Sequence, residues 1–238
     1  MQPQDHGHSP AEIRARLANP AGRGHLRDAV YGAIDGAVTT FAIVAGVAGA
    51  GLSPFVIVAL GLANVLADGF SMAAGNYAGT KAELEDANRL RAVEARHIDT
   101  HPEGELEELR VILSQKGLSG RTLENAAQQI ASNRQAWINT MLEGEYGLAS
   151  VGPEPMKAAG VTFGAFLVAG MVPLIPFLLG LPDAFLISSI LTLLVFFAIG
   201  AAKSQWSLSP WWRSGAETLA IGGTAAGLAY IVGGFFGG

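Results

Sequence analysis

The chain has 238 residues, of which 15 are Lys or Arg and 20 are Asp or Glu, and it contains no cysteine. Half of the residues are apolar, the mean hydropathy is +0.35, and the charged fraction is only 15%, against about a quarter in ordinary soluble domains. The lack of cysteine excludes disulfides, thiolate metal sites and cysteine nucleophiles. The net charge of -5 argues against nucleic-acid binding, because no basic patch exists to neutralise phosphate.

Charged residues are absent from two long stretches, 36–67 and 158–181. Apolar runs of this length are typical of helices that cross a bilayer, so the sequence predicts an all-α polytopic membrane protein. Residues 1–27 are polar and lack the apolar segment of a signal peptide. We interpret them as a tail that carries a short surface helix at 10–17.

Five transmembrane helices are predicted. Residues 28–79 contain the first two, which form a hairpin around the Gly-Leu-Ser-Pro turn at 51–54, and residues 158–238 contain the other three. At about 1.5 Å per residue, each is long enough to cross roughly 30 Å of hydrocarbon. The predicted spans are 29–51, 54–79, 158–180, 184–202 and 215–236.

Residues 80–157 differ from the rest of the chain in composition. They contain 9 Lys or Arg and 13 Asp or Glu, with helical periodicity in the segments 83–98, 103–116 and 122–148. We therefore predict a water-exposed module of three helices, inserted between the second and third spans.

The basic residues predict the orientation of the chain. Four of the 15 precede the first span, nine lie in the module, and Lys203 and Arg213 lie between the last two spans. All of them fall on one side of a five-span arrangement. By the positive-inside rule, the N-terminus and the module face the cytoplasm and the C-terminus lies outside.

Two carboxylates, Asp35 and Asp68, lie inside the predicted spans. Asp35 comes 16 residues before Gly51 and Asp68 comes 14 residues after Pro54, so both lie at similar depth in the cytoplasmic half of the bilayer. An ionisable group at that depth is costly and is rarely present without a function.

Polar and thioether side chains recur every four positions along the same two spans. Those on the second span are Asn64, Asp68, Met72 and Asn76, and those on the first are Asp35 and Thr39. Oxygen ligands alone suit Mg²⁺ or Ca²⁺, whereas a methionine sulfur shifts the preference towards Fe²⁺ or a similar transition ion. The alternative is that these groups only hydrogen-bond to neighbouring helices, as Asn commonly does in membranes.

The module carries pairs of metal-binding side chains at helical spacing. The pairs are Glu94 with His97, Glu105 with Glu108, and Met141 with Glu145, with Glu143 beside the last pair. Three short helices can direct such pairs at a common centre. The alternative is a solvated acidic surface. A di-iron carboxylate bundle is poorly supported, since it needs two Glu-x-x-His motifs and the module has one.

These motifs resemble the vacuolar iron transporter family, in particular its bacterial members. The resemblance depends on Asp-Gly-Ala-Val-Thr-Thr at 35–40, on Leu-Ala-Asn-Val-Leu-Ala-Asp-Gly-Phe-Ser-Met-Ala at 62–73 with Asn-Tyr at 76–77, and on Glu-x-x-His, Glu-x-x-Glu and Glu-Tyr-Gly-Leu in the module. It covers nearly all of the chain after residue 25.

The resemblance implies a homodimer with an ion path between two copies of the first span, in a bacterial inner membrane. It implies export of Fe²⁺ from the cytosol, coupled to inward proton movement. Asp35 and Met72 match the family's membrane metal site, and Glu94, Glu105, Glu108, Met141 and Glu145 match its cytoplasmic ligands. His97 and Leu142 depart from the family pattern, since an acidic residue is expected at each, and Glu143 is a substitute for the second.

Two other functions are compatible with the same residues. One is an exporter of Mn²⁺ or of divalent cations in general, with Mn²⁺ or Zn²⁺ also bound at the module. The other is a membrane-anchored metal buffer or sensor without transport. An enzyme is not expected, because the sequence contains no constellation of a nucleophile and a base.

Overall fold

The computed structural model describes residues 9–18, 24–148 and 152–236. Those residues form ten α-helices and no β-strand. The helices are α1 (Pro10–Ala18), α2 (Leu26–Gly49), α3 (Pro54–Thr100), α4 (Pro102–Gln115), α5 (Gly120–Ala131), α6 (Arg134–Tyr146), α7 (Pro155–Met171), α8 (Ile175–Leu178), α9 (Ala184–Lys203) and α10 (Trp211–Phe236).

The chain divides into two compact units, each described by itself below. The polar unit contains the described residues within Met1–Arg23 and Thr80–Glu154, and the membrane unit contains the described residues within Gly24–Gly79 and Pro155–Gly238. Part of the predicted N-terminal tail lies outside the described residues; α1 agrees with the short helix that the sequence predicts at 10–17.

Five helical segments of the described chain are long and apolar enough to cross a membrane. They are Leu26–Gly49, Pro54–Thr100, Pro155–Leu178, Ala184–Trp206 and Trp211–Phe235. The predicted number of spans is therefore confirmed, and the protein is an integral membrane protein of all-α architecture.

Helix α3 is longer than the sequence suggests. The periodicity predicts a span that ends near residue 79 and a separate helix from 83 to 98, whereas α3 continues without a break to Thr100. No proline lies between Pro54 and Pro102. Because nothing in this stretch forces the backbone out of the helix, the change from apolar to polar side chains does not end it.

The third span is interrupted where the sequence predicts one helix. After α7, residues Val172–Leu174 form a 3₁₀ turn that contains Pro173, and the short helix α8 follows with Pro176. Proline removes a backbone donor and so frees carbonyl groups within the apolar region. The hydroxyl of buried Ser188 satisfies one of them by donating to the Pro173 carbonyl at 2.7 Å.

Helix α2 lies at the centre of the membrane unit, where it contacts α7, α9 and α10. Its contact with α7 depends on Gly32 and Gly36. A Cβ atom at either position would lie 2.4 Å from a backbone oxygen of α7, that of Thr162 or Phe166 respectively. Small residues at such positions let two helix backbones approach closely.

The polar unit has a hydrophobic core of its own, which includes Leu109, Trp137, Met141 and Leu142. The segment 122–148, predicted as one helix, is two helices that are separated at Ser132 and Asn133. The Asn133 side chain caps α6 by accepting a hydrogen bond from the Ala136 amide at 3.1 Å. An asparagine at an N-cap stabilises a helix start, so a new helix begins here.

Candidate functional site

Two helices of the membrane unit are connected by polar side chains at the level of Asp35. The Asn64 amide of α3 donates to the Thr39 hydroxyl of α2 at 3.3 Å, and the Thr39 hydroxyl donates to the Asp35 backbone carbonyl at 2.8 Å. Asp35 and Asn64, two of the predicted ligands, are thus brought to the same contact between α2 and α3.

Asp35 and Asp68, the two carboxylates of the membrane unit that the sequence predicts as ligands, lie on helices joined by the Asn64–Thr39 hydrogen bond, and Asp68 acts electrostatically on Asp35. Asp35 is half-buried, as is Met72, one turn beyond Asp68 on α3, whereas Asp68 is exposed on the single chain. Charged side chains in membrane spans almost always face the interior of a helix bundle or a water-filled cavity and not lipid.

Asn76 belongs to a second, separate network. Its side-chain amide donates to Asp28 Oδ1 at 3.0 Å and to the hydroxyl of fully buried Thr162 at 2.7 Å. The other Asp28 oxygen lies 3.0 Å from Nδ1 of His25. Asn76 therefore connects α2, α3 and α7 by hydrogen bonds, which is the alternative to metal binding for an asparagine in a membrane span.

The polar unit brings together four of its predicted acidic ligands. Glu94 on α3 and Glu105 on α4 are buried, with exposed fractions of 1% and 5%, and each has one carboxylate oxygen, Oε2, without a hydrogen-bond partner in the described chain. Glu108 and Glu145 are exposed and act electrostatically on both of them. We call these four residues the carboxylate cluster.

Burial and mutual repulsion shift the pKa values of the buried pair. Burial raises the pKa of Glu105 to about 7, and the charges of Glu94, Glu108 and Glu145 add to the shift while His97 opposes it. Burial also raises the pKa of Glu94, against a hydrogen bond from the Tyr146 hydroxyl. These buried, mutually repelling carboxylates lack a compensating positive charge, which a bound cation would supply.

His97 and Tyr146 complete the surroundings of the cluster. His97 Nδ1 lies 3.4 Å from Glu105 Oε1, and its side chain is 44% exposed. The Tyr146 hydroxyl donates to Glu94 Oε1 at 3.0 Å. The sequence prediction does not include Tyr146. Its position directly after Glu145 in the Glu-Tyr-Gly-Leu motif is the signal that could have identified it.

Three other positions lie apart from the cluster. Glu143 is exposed and pairs with Lys116 at 3.4 Å. Met141 and Leu142 are buried in the hydrophobic core of the polar unit, at 0% and 4% exposure. An acidic side chain in the buried place of Leu142 would lose its hydration, which is costly.

Within the described ranges, no three His, Asp or Glu side chains are arranged closely enough to hold one metal ion. The cluster is therefore an open arrangement, whose side chains would have to move together around an ion. Two exposed members and a half-exposed histidine have the freedom to do so.

The profile of the VIT family matches residues 26–234 of the chain. Vacuolar iron transporter 1 of Arabidopsis thaliana is 33% identical over 213 residues, which cover 87% of this chain and 84% of the plant protein. Vacuolar iron transporter 2 of Oryza sativa subsp. japonica is 33% identical over 86% of this chain and 85% of its own length. The vacuolar iron transporter of Toxoplasma gondii is 31% identical over 88% and 73% respectively.

Proposed function

The chain belongs to the VIT family, and from that premise we propose that it is a transporter of divalent metal that moves Fe²⁺ out of the cytosol in exchange for protons. The family consists of transporters, which confirms that the chain is not an enzyme. The observation that carries the proposal is the pair of carboxylates, Asp35 and Asp68, on neighbouring membrane-crossing helices.

The membrane carboxylates are proposed as the translocation site. Asp35 and Met72 bind the ion, with Asp68 and Asn64 beside them. An intramembrane carboxylate is unfavourable unless a partner compensates its charge, and a passing cation is such a partner. The contact between Asn64 and Thr39 supports this assignment, because it fixes α2 against α3 at this level and leaves the Asp35 carboxylate itself free of those hydrogen bonds.

The polar unit is proposed as the collecting site, a cytoplasmic module that binds the ion before transport. Glu94, Glu105, Glu108 and Glu145 supply oxygens and His97 supplies a nitrogen. The unpartnered oxygens of Glu94 and Glu105 support this role, since buried polar atoms are normally satisfied and an ion would satisfy both. Met141 remains in the proposal as a thioether that becomes a ligand only if its side chain leaves the core.

Proton exchange is proposed because protons and cations compete for the same carboxylate oxygens. Protonation of Asp35 or Asp68 from the outer side weakens the bond to the metal and releases the ion there. The return of an empty, protonated site then carries the proton inwards. This cycle needs no group beyond the two carboxylates and an opening to each side.

A homodimer is proposed, with the two copies of α2 facing each other. Asp68 and Tyr31, which lies one turn before Asp35 on α2, are exposed on the single chain, Tyr31 at 68%. A second copy that covers this face would keep both from lipid and would line an ion path. The distribution of basic residues supports a cytoplasmic N-terminus. A bacterial inner membrane is proposed as the location, although the relatives that the chain matches are named as vacuolar transporters.

The test of transport uses liposomes that contain the purified protein. Fe²⁺ uptake should be faster when a proton gradient drives protons in the opposite direction, and Asp35→Asn should reduce uptake to the rate of empty liposomes. Asp183→Asn, in the turn before α9, is the matched control and should transport normally. Asp35→Asn transport at the wild-type rate would exclude this mechanism.

The dimer can be tested cleanly because the chain has no cysteine. Tyr31→Cys should form a disulfide-linked dimer in membranes under mild oxidation. Leu228→Cys on α10, where the native side chain is also exposed at 60%, is the control and should remain monomeric. Equal cross-linking of both variants, or of neither, would remove the support for a dimer through α2.

A metal buffer or sensor is the second candidate, because the crowded carboxylates are in the polar unit and not in the spans. Under that function, metal binding to the cluster would persist and Asp35→Asn would leave cellular metal tolerance unchanged. Under the transport proposal, the same variant makes cells sensitive to iron.

A further inference from the structure

His97 is distinct from the other groups around the carboxylate cluster because it supplies nitrogen. It lies three residues after Glu94 on α3, so the two side chains share one face of the helix. Its ring is half-exposed, whereas the Glu105 carboxylate beside it is 7% exposed. The imidazole therefore stands at the rim of the cluster, between solvent and the buried oxygens.

The distance between His97 and Glu105 is informative. Nδ1 and Oε1 are 3.4 Å apart, which is longer than the roughly 2.7–3.2 Å of an ordinary N–H···O hydrogen bond. Two donor atoms that bind one transition ion at about 2.1 Å, at the tetrahedral angle, lie about 3.4 Å from each other. The pair, which is an ion pair when His97 is protonated, therefore also has the separation of two ligands of the same ion.

A second observation points to a ligand at this place. Glu105 Oε2 and Glu94 Oε2 are buried and have no hydrogen-bond partner within the described residues. Neither the nearby histidine nor Tyr146 satisfies them, since these contact the Oε1 atoms. An ion held between His97 and Glu105 would lie beside the unsatisfied Oε2 of the same Glu105 carboxylate, on which Glu94 also acts electrostatically.

We infer that His97 Nδ1 and Glu105 Oε1 chelate the incoming ion together, and that His97 makes the polar unit prefer Fe²⁺, Co²⁺ and Zn²⁺ over Mn²⁺. This inference rests on the proposed role of the polar unit as the collecting site. Imidazole suits Fe, Ni, Cu and Zn, whereas all-oxygen sites suit Mg²⁺, Ca²⁺ and Mn²⁺. One nitrogen in a carboxylate cluster therefore discriminates against Mn²⁺.

The test compares Co²⁺ and Mn²⁺ binding to the purified full chain in detergent, by equilibrium dialysis at one fixed pH. His97→Gln should weaken Co²⁺ binding by at least about 10- to 100-fold, since the loss of a group that only orients a ligand already has an effect of that size, and should weaken Mn²⁺ binding far less. The visible absorption of bound Co²⁺ should change in the same variant, because its nitrogen ligand is removed.

Two further variants keep the result interpretable. His97→Glu replaces nitrogen with oxygen and should retain Mn²⁺ binding while the preference for Co²⁺ falls, which a misfolded site would not do. His101→Gln is the matched control: this histidine is exposed and contacts the Thr100 hydroxyl at 2.9 Å, so both affinities should be unchanged. Equal losses for both ions, or no loss, would overturn the inference.

The metal selectivity of the His97 variants and the transport of Fe²⁺ can fail independently of each other. If wild-type liposomes take up Fe²⁺ and the His97 variants bind Co²⁺ and Mn²⁺ with the wild-type preference, transport stands and the inference about His97 is wrong. If the selectivity changes as expected but no variant or wild-type sample transports Fe²⁺, the inference stands and the transport proposal is wrong.

Discussion

The membrane unit has few polar groups, and these join neighbouring helices by hydrogen bonds. Asn64 donates to Thr39 in one network, and Asn76 donates to Asp28 and Thr162 in another. In the polar unit, four carboxylates crowd together, and two of them carry buried oxygens without a partner. Within the described residues, the buried oxygens without a partner in the polar unit belong to carboxylates, those of Glu94 and Glu105, whereas those of the membrane unit are the hydroxyls of Thr40 and Ser214.

The difference separates two tasks that one type of side chain can perform. An unsatisfied cluster gains free energy when a cation binds, so it is suited to capture and retention. A pair of carboxylates on helices that are already connected gains less from one ion than a cluster of four does, and is suited to passing the ion on. We therefore expect the polar unit to dominate metal affinity and the membrane unit to dominate transport rate.

The largest expected effect is on metal affinity. The double variant Glu94→Gln with Glu105→Gln should bind Fe²⁺ about 1,000-fold more weakly, because two ligands are lost and each costs at least 10- to 100-fold. Equilibrium dialysis under anaerobic conditions measures it. Glu143→Gln is the control: its carboxylate pairs with Lys116 instead of joining the cluster, so its affinity should match the wild type.

The metal-free protein should show the strain of the cluster as a dependence of stability on pH. The pKa of Glu105 is raised from 4.5 to about 7 in the folded protein. Its contribution to the free energy of unfolding is therefore fully present below pH 4.5 and is lost as pH rises through 7. The loss is about 3 kcal/mol at most, at 1.36 kcal/mol per pKa unit.

Hydrogen exchange of α4 and α6 in the presence of a chelator measures this free energy of opening. Glu105→Gln should flatten the pH dependence, and added Fe²⁺ should restore the protection at pH 7.5. Exchange rates in the chelated wild type that, once corrected for intrinsic chemistry, do not change between pH 5 and 7.5 would contradict the account of the cluster.

In the membrane unit the largest structural effect is expected from packing and not from charge. Gly36→Ala places a methyl group where it would lie 2.4 Å from the Phe166 carbonyl oxygen, so α2 and α7 must separate, at a cost of about 1–3 kcal/mol. Gly46→Ala on the same helix meets nothing within 4 Å and is the control. Thermal unfolding in detergent should show a lower midpoint for the first variant alone.

The smallest effect is expected from a residue that only orients a ligand. Tyr146→Phe removes the donor to Glu94 Oε1 and should weaken Fe²⁺ binding by about tenfold, the lower end of the range for such supporting groups. The same dialysis experiment measures it. A loss as large as that of the double glutamate variant would mean that Tyr146 itself contacts the ion.

Much of this organisation follows from the sequence, since apolar runs without charge leave few alternatives to membrane-crossing helices. The helical spacing of Glu94, Glu105 and Glu108 also predicts their convergence. The continuity of α3 was not predictable from hydropathy, because a change in polarity does not break a helix. The separation of Glu143 from the cluster depends on its ion pair with Lys116, 27 residues away, a contact that no local pattern encodes.

The division of labour can be tested by measuring flux and binding on the same two preparations. Asp35→Asn should bind Fe²⁺ with wild-type affinity and transport none. The double variant Glu94→Gln with Glu105→Gln should bind weakly at the polar unit and still transport when Fe²⁺ is saturating. Fe²⁺ flux through Asp35→Asn liposomes at the wild-type rate would contradict the claim that this carboxylate carries the ion across the membrane.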